Sequence, residues 1–217
     1  MIKSSVPAPV LRAPKQERSR RSFERVQDAA LALLVERGPD AFTLAEVCTR
    51  ADASMGAIYN RVNGKDDLIR LIHEREMARV DADTEKALLA IDLQRGQLRD
   101  LVADLIDGVT VLLRRDAEVL RPFMLLAATD SQIATRGRRS ATVMTSLFVG
   151  LLSQRSAEIR HPDPVAAVEW CFTIVYSVIA RRLGLGSTME GANDSGDWDE
   201  LIVNLTDTVT AYLSLAR

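Results

Sequence analysis

The sequence predicts an all-α protein of about nine helices, a small three-helix unit followed by a larger helical bundle. Three observations carry this. Apolar residues recur at the 3.6-residue period in segment after segment. No Val/Ile/Thr alternation is long enough to read as a strand. Aromatics make up only 5% of the 217 residues, with 11 Gly and 7 Pro, which disfavours a sandwich of short strands and tight turns.

The elements follow in order. Residues 1–17 hold Pro7, Pro9 and Pro14 and show little periodicity, so they read as a flexible basic arm. A first helix is expected over about 18–37, with Phe23, Val26, Ala30, Leu33 and Leu34 on one face. Gly38-Pro39 ends it: Gly takes a left-handed cap, and Pro cannot continue a helix. Thr43 and Glu46 form a T-x-x-E capping box that opens a short helix through Ala51. Asp52-Ala53 is a tight turn, and Ser54 is suited to cap another short helix over about 55–62. Asn63-Gly64 breaks the chain before a long helix over 65–89.

Further on, Leu98, Leu101, Val102, Leu105, Ile106, Val109, Leu112 and Leu113 form an apolar stripe opposite Asp100, Asp104 and Asp107. Pro122 should interrupt or kink a separate helix over 118–128. Helices over about 131–159, 164–185 and 198–216 complete the bundle, with a Gly/Ser/Asn loop at 186–197.

Composition excludes several classes. A hydrophobic fraction of 47% and a charged fraction of 27% are those of a globular chain, not of a disordered or collagen-like one. Cys48 and Cys171 lie far apart and form no metal-ligand spacing, so they read as buried thiols and no metal is expected. The N-terminus has no apolar core of signal-peptide length. The most apolar stretch, 165–180, contains Glu169 and suits a buried helix better than a membrane span. The expectation is a cytoplasmic protein with no membrane partner. Net charge is −2 overall but uneven: +5 over residues 1–25, −2 over 26–80 and −5 over 81–217. A cationic N-terminus ahead of a mildly acidic body suits a local anion-binding role, or a solvated tail.

The informative segment is 43–68. Two short helices joined by a tight turn, after a longer first helix, have the spacing of a helix-turn-helix, whose second helix enters the DNA major groove. Ile58 and Val62 can pin that second helix inward, leaving Met55, Gly56, Ala57, Asn60 and Arg61 facing out. Small residues let the helix sit close to the groove floor. Asn60 suits adenine and Arg61 guanine, or either holds phosphate. The hydroxyls of Thr43, Ser54 and Tyr59 and the charge of Lys65 suit phosphate, as do Arg18, Arg20 and Arg21 near the start of the first helix. The same spacing also fits a plain helical hairpin within a bundle.

Thr43, Ala51, Ser54, Gly56, Tyr59, Lys65 and Leu68 match, without a gap, the DNA-binding pattern T-x-x-x-I-A-x-x-A-G-V-S-x-G-x-x-Y-x-H-F-x-x-K-x-x-L. In this segment the chain resembles the tetracycline-repressor (TetR/AcrR) family. Val47 and Cys48 stand for Ile-Ala, Asp52 and Ala53 for Gly-Val, and Arg61 and Val62 for His-Phe. The motif covers about 26 residues, and the remaining two-thirds resembles the family only in length and helical character. The resemblance implies a cytoplasmic homodimer, most often a repressor, on a near-palindromic double-stranded operator. It also implies a larger domain whose small-molecule effector releases the DNA, and no cofactor. The domains would then be an arm (1–17), a helix-turn-helix domain (18–64) and an effector-binding and dimerisation domain (65–217).

An effector site needs a cavity with apolar walls and a few polar groups. Phe123, Met124, Met144, Phe148, Trp170 and Ile174 are candidates for its walls, or for plain core. Arg136, Arg138 and Arg139 suit an acidic effector, or a solvated helix face. Two seams at i, i+4, i+7, i+11 are candidates for a dimer-forming four-helix bundle: Val168, Phe172, Val175 and Ile179, then Leu201, Leu205, Thr208 and Tyr212. His73 and His161 sit in no catalytic spacing, no Gly-rich phosphate loop occurs, and no G-x-S-x-G context is found, so an enzyme is disfavoured. The other alternative is a helical interaction module that keeps a degenerate helix-turn-helix.

Overall fold

The computed structural model describes residues 15–94, 96–186 and 197–215. They form eight α-helices: α1 Lys15–Arg37, α2 Leu44–Ala51, α3 Met55–Tyr59, α4 Lys65–Leu89, α5 Leu98–Leu126, α6 Ser131–Ser153, α7 Pro164–Arg182 and α8 Trp198–Leu213. One 3₁₀ turn, Ser156–Glu158, lies between α6 and α7, and no strand occurs among the described residues. The helices fall into two compact units, 1–69 and 70–217, and α4 runs through the division. The expected boundary lay at 64/65. It falls later because Leu68 and Ile69, in the first turns of α4, are buried in the first unit.

The sequence-expected elements hold with six revisions, two of them the ends of α7 and α8 at Arg182 and Leu213 rather than at 185 and 216. α5 is one continuous helix through Pro122, which reduces nine helices to eight. A proline inside a helix costs roughly 3 kcal/mol through one lost hydrogen bond and a ring clash. Here Leu120, Pro122 and Phe123 continue the buried face begun at Leu98, and that burial outweighs the local penalty. α1 begins at Lys15, so the end of the expected arm is helical; residues 1–14 lie outside the described residues. α3 stops at Tyr59 rather than Val62, and Arg61 and Val62 close a turn by donating their N–H groups to the Ile58 carbonyl at 2.9 and 3.1 Å. α6 ends at Ser153, short of 159. Of the expected loop at 186–197, residues 187–196 lie outside the described residues.

In the first unit, α1, α2 and α3 close on a small core of Phe23, Val26, Leu33, Leu34, Phe42, Val47, Ile58 and Val62. Polar contacts fasten α2 to α1. The Arg50 guanidinium makes a two-pronged pair with Glu36 at 2.6 and 2.7 Å, and Arg37 pairs with Glu46 at 2.8 Å. Arg25 of α1 donates to the carbonyls of Ala51 and Asp52 at 3.1 and 3.3 Å, so a cation covers the negative end of α2.

In the second unit, α5 supplies the central stripe, and α7 and α8 pack against it. Charges join α4 to α5 and α6. Buried Asp116 takes hydrogen bonds from Arg79 and Arg115 at 2.8 and 2.7 Å. Burial alone would raise its pKa, but the two guanidinium groups outweigh it and hold the carboxyl below its ordinary value. Arg136 of α6 reaches Glu74 and Asp81 of α4, each at 2.9 Å. By length and composition α7 could cross a membrane, but Val168, Cys171, Phe172, Val175 and Ile179 bury one face of it in this core. Both cysteines are free and buried, and burial pushes the Cys171 thiol up to about 12.

Candidate nucleic-acid interface and cavity

The helix-turn-helix is built from its caps outward. Thr43 accepts the Glu46 N–H at 3.3 Å, and the Glu46 carboxylate takes the Thr43 N–H at 2.8 Å, the reciprocal pair expected. These bonds from Thr43, then Arg37, hold the Glu46 carboxyl below its ordinary range. Asp52 occupies the left-handed position at φ 48°, where the chain leaves α2. Ser54 has the extended backbone of a cap, but its side chain makes no cap hydrogen bond.

The short α3 is held by Ile58, fully buried, and by Val62 just beyond it. That fixes what faces out. Gly56, Tyr59 and Asn60 are exposed, Tyr59 by 56%; Met55 is exposed and Ala57 is half-buried. A Cβ added to Gly56 would meet only Ser54 Oγ at 3.8 Å, so nothing inside the chain requires glycine there. Cys48 Sγ lies 3.3 Å from Met55 Sδ, which steadies the start of the helix.

The cationic candidates are more engaged than the spacing suggests. Arg61 lies past the end of α3, with its guanidinium 4.7 Å from the centre of the Phe23 ring and donating to Ser19 Oγ at 3.3 Å. It is thereby laid along the N-terminal part of α1. Lys65 donates to the Phe42 carbonyl, and its Nζ is 4.1 Å from the centre of the Phe42 ring. Arg20 and Arg21 sit one turn into α1 and pair with Glu17 at 2.9 and 2.8 Å. Hydrogen bonds from Arg20 and then Arg21 hold Glu17 at about 2. Helical i,i+3 and i,i+4 pairing therefore accounts for these two arginines within α1. Arg18 is exposed in the first turn.

In the second unit a cavity of 540 Å³ opens among α4, α5, α6 and α7. Phe123, Met124 and Met144 line it. Phe148, Trp170 and Ile174 do not. Phe148 is fully buried in the core, its ring 5.3 Å from that of Phe172. Trp170 is 53% exposed on the outer side of α7, and Ile174 packs against the core from its edge. The wall carries a residue that the sequence analysis set aside as lying in no catalytic spacing. His73 is only 3% exposed, with its ring 4.7 Å from that of Phe123. Its spacing held the signal: it lies four residues from both Ile69 and Met77, on the apolar side of α4. Burial, then the charge of Arg136, lower its pKa to about 4, so the ring is neutral near pH 7.

The expected dimer seams also need correction. Val168, Phe172, Val175 and Ile179 are buried inside the chain, as is Leu205. Leu201 and Tyr212 are half-buried against the same core, Tyr212 with its ring 5.1 Å from that of His161; only Thr208 is exposed. The large apolar groups exposed on α7 are Val165, Trp170 and Val178, and on α8 Val203.

Residues 27–72 match the sequence model of the bacterial regulatory proteins of the tetR family. Over 74 residues the chain is 35% identical to the HTH-type transcriptional repressor KstR of Mycolicibacterium smegmatis. That match covers 34% of this chain and 36% of the repressor, so the chain spans about a third of that relative. Among solved structures, the fold is similar to a bacterial regulatory protein in the tetR family from Rhodococcus RHA1. The TM-score is 0.61 at 16% identity, over 88% of this chain and 95% of that one. It is also similar to the transcriptional regulator FadR of Bacillus subtilis, solved in complex with stearoyl-CoA. There the TM-score is 0.60 at 16% identity, over 90% and 99% of the two chains. The helix-turn-helix is a tetR-family one, and the all-helical fold is that of these regulators.

Proposed function

We propose, from the premise of a tetR-family helix-turn-helix at residues 27–72, that this protein is a cytoplasmic transcription regulator and not an enzyme. It acts as a homodimer, represses from a near-palindromic operator, and leaves the DNA when a small molecule enters the second-unit cavity. One observation carries the reading. The outer side of α3 presents Gly56, Tyr59 and Asn60 to solvent while Ile58 and Val62 are buried, so a glycine with no internal purpose sits at the centre of the exposed face. A face that must lie against base edges needs that missing side chain.

Roles follow from what each group is free to do. Met55, Gly56 and Ala57 allow close approach, and the exposed amide of Asn60 suits adenine. Tyr59 and Ser54 offer hydroxyls to phosphate, the latter uncommitted to its own cap. Arg61, laid on Phe23 beside Ser19, meets backbone phosphate together with Arg18 instead of reading a guanine. Thr43 and Lys65 act mainly by fixing the unit, Thr43 through its capping box and Lys65 through the Phe42 carbonyl. Trp170, Val178 and Val203 form the dimer contact. Effector control is supported by the apolar cavity and by FadR, a protein of the same fold solved with stearoyl-CoA.

The test is fluorescence anisotropy of the full-length protein on DNA from upstream of its own gene, against scrambled DNA. Selective binding that weakens with salt is expected. Gly56→Leu should abolish the selectivity without lowering the melting temperature, since Gly56 is exposed and an added Cβ meets only Ser54 Oγ at an ordinary 3.8 Å. Equal affinity for both DNAs, or undiminished selectivity in Gly56→Leu, overturns the reading.

A further inference from the structure

The geometry points to a neutral, mainly apolar ligand for the 540 Å³ cavity, held by a hydrogen bond between its single hydroxyl or carbonyl oxygen and the imidazole of His73. This rests on the reading of the cavity as an effector site and adds the chemical class of the effector.

Three observations carry it. First, His73 lies in the cavity wall, is 97% buried by its 3% exposure, and makes no hydrogen bond among the described residues. With no protein partner and with the ring in the cavity wall, its nitrogens are left for a ligand atom to meet. A neutral imidazole offers one N–H and one bare nitrogen, and can therefore meet a hydroxyl or a carbonyl. Second, the charges near the wall lie toward its outside. Arg136 is committed to Glu74, Asp81 and Ser140 Oγ, the last at 2.6 Å, and Arg138, which lines the cavity, is exposed and donates to Thr135 Oγ1 at 2.9 Å. A carboxylate or ammonium carried past Arg138 to His73 would be desolvated with no opposite charge beside it. Third, most of the wall is apolar, with Met77, Leu113, Leu120, Phe123 and Met144 outnumbering the polar groups of Ser140 and Tyr176. The volume suits a compound of on the order of 20 non-hydrogen atoms at the packing density of protein interiors. The lowered pKa of His73 agrees with this, because a charged imidazole would itself seek an anion. Burial likewise keeps Tyr176, also in the wall, as an uncharged phenol.

The test uses three probes of matched chain length, decan-1-ol, decanoate and decylammonium, titrated into the full-length protein by calorimetry. Decan-1-ol should bind at least about 10-fold more tightly than either ion, the ions having to shed their hydration on entering. His73→Phe keeps an aromatic ring against Phe123 and should weaken decan-1-ol about 3- to 10-fold, the worth of one neutral hydrogen bond. Arg138→Gln should leave decan-1-ol unchanged. The wild-type protein gives an answer that does not depend on any variant folding: with only two histidines in the chain, decan-1-ol should shift the ¹⁵N resonances of one imidazole and spare the other. Decanoate binding as tightly as decan-1-ol, an unshifted pair of imidazoles, undiminished affinity in His73→Phe, or binding of none of the probes overturns the inference. Decan-1-ol bound through His73 without any change in operator affinity upholds this cavity chemistry and refutes the effector reading. Release from DNA by decanoate acting in the cavity does the reverse.

Discussion

His73 shows how one buried side chain ties stability to pH. Its pKa is lowered from 6.5 to about 4, by burial first and by Arg136 second. Between those values the unfolded chain holds a proton that the folded chain refuses, so stability falls as pH drops from about 6.5 towards 4. Above pH 6.5 neither state is protonated and no loss occurs. The expected loss from pH 7 to pH 5 is about 2 kcal/mol from this residue, by linkage between the two constants. Carboxyls held low by pairing, such as Glu17 and Asp130, add their losses mainly below that window, as they protonate. Urea unfolding of wild type and His73→Phe at pH 7 and pH 5 measures the difference. An equal loss of stability in both proteins would show that His73 titrates normally. The sequence displays such a residue only in part. Asp52 is the legible case: it stands where the family pattern has glycine, and it takes the left-handed backbone that this position demands. His73 was legible in spacing but not in consequence, because the neighbours that desolvate it come from helices far along the chain.

At the scale of elements, caps were read with more success than ends. The Thr43–Glu46 box lies wholly within four residues, and its reciprocal hydrogen bonds form as the spacing requires. Thr43→Ala removes the acceptor for the Glu46 N–H and frees the first turn of α2, which lies next to the face that presents α3. It should destabilise the protein by about 1 kcal/mol, the usual cost of losing such a cap. Thr43→Ser, which keeps the oxygen, should recover most of it. Denaturant midpoints of the three proteins decide, and equal losses for Ala and Ser would mean that the methyl group matters more than the cap. The misread elements share a physical cause. Pro122 looks like a breaker locally, yet it lies on a helix whose buried face extends on both sides of it. On α7 the apolar pattern runs nearly all round the helix. Periodicity alone therefore could not say whether the Val168–Phe172–Val175–Ile179 face or the Trp170–Val178 face turns inward. The same ambiguity misplaced Trp170 in the cavity wall.

For the whole molecule the question is what covers that outer face in solution. Trp170 is 53% exposed and Val178 36% on α7, and Val203 is 50% exposed on α8; Val165 at the start of α7 is exposed as well. Single exposed apolar residues are ordinary; a tryptophan and two valines on the two C-terminal helices of one bundle are suited to the centre of a symmetric contact. A two-fold pairing of α7 and α8 with their copies makes a four-helix bundle in which each patch meets itself. The double variant Trp170→Glu/Val203→Glu places four carboxylates in such a contact, two from each protomer, where desolvation and like charge both oppose association. It should sediment as a monomer at micromolar concentration, with the far-ultraviolet circular dichroism of the wild type, since both side chains are exposed within one chain. Operator binding should fall by at least about 100-fold, because each half-site then acts alone and loses the effective concentration that a tethered second helix-turn-helix provides. The proposed dimer should engage half-sites about 34–36 Å apart with its two α3 helices, one turn of the duplex, and moving the half-sites apart by half a turn should have a comparable effect on the wild type. A variant that stays dimeric would place the contact elsewhere. A monomeric variant that kept full operator affinity would show that one helix-turn-helix suffices, and the two-fold reading of the operator would go with it.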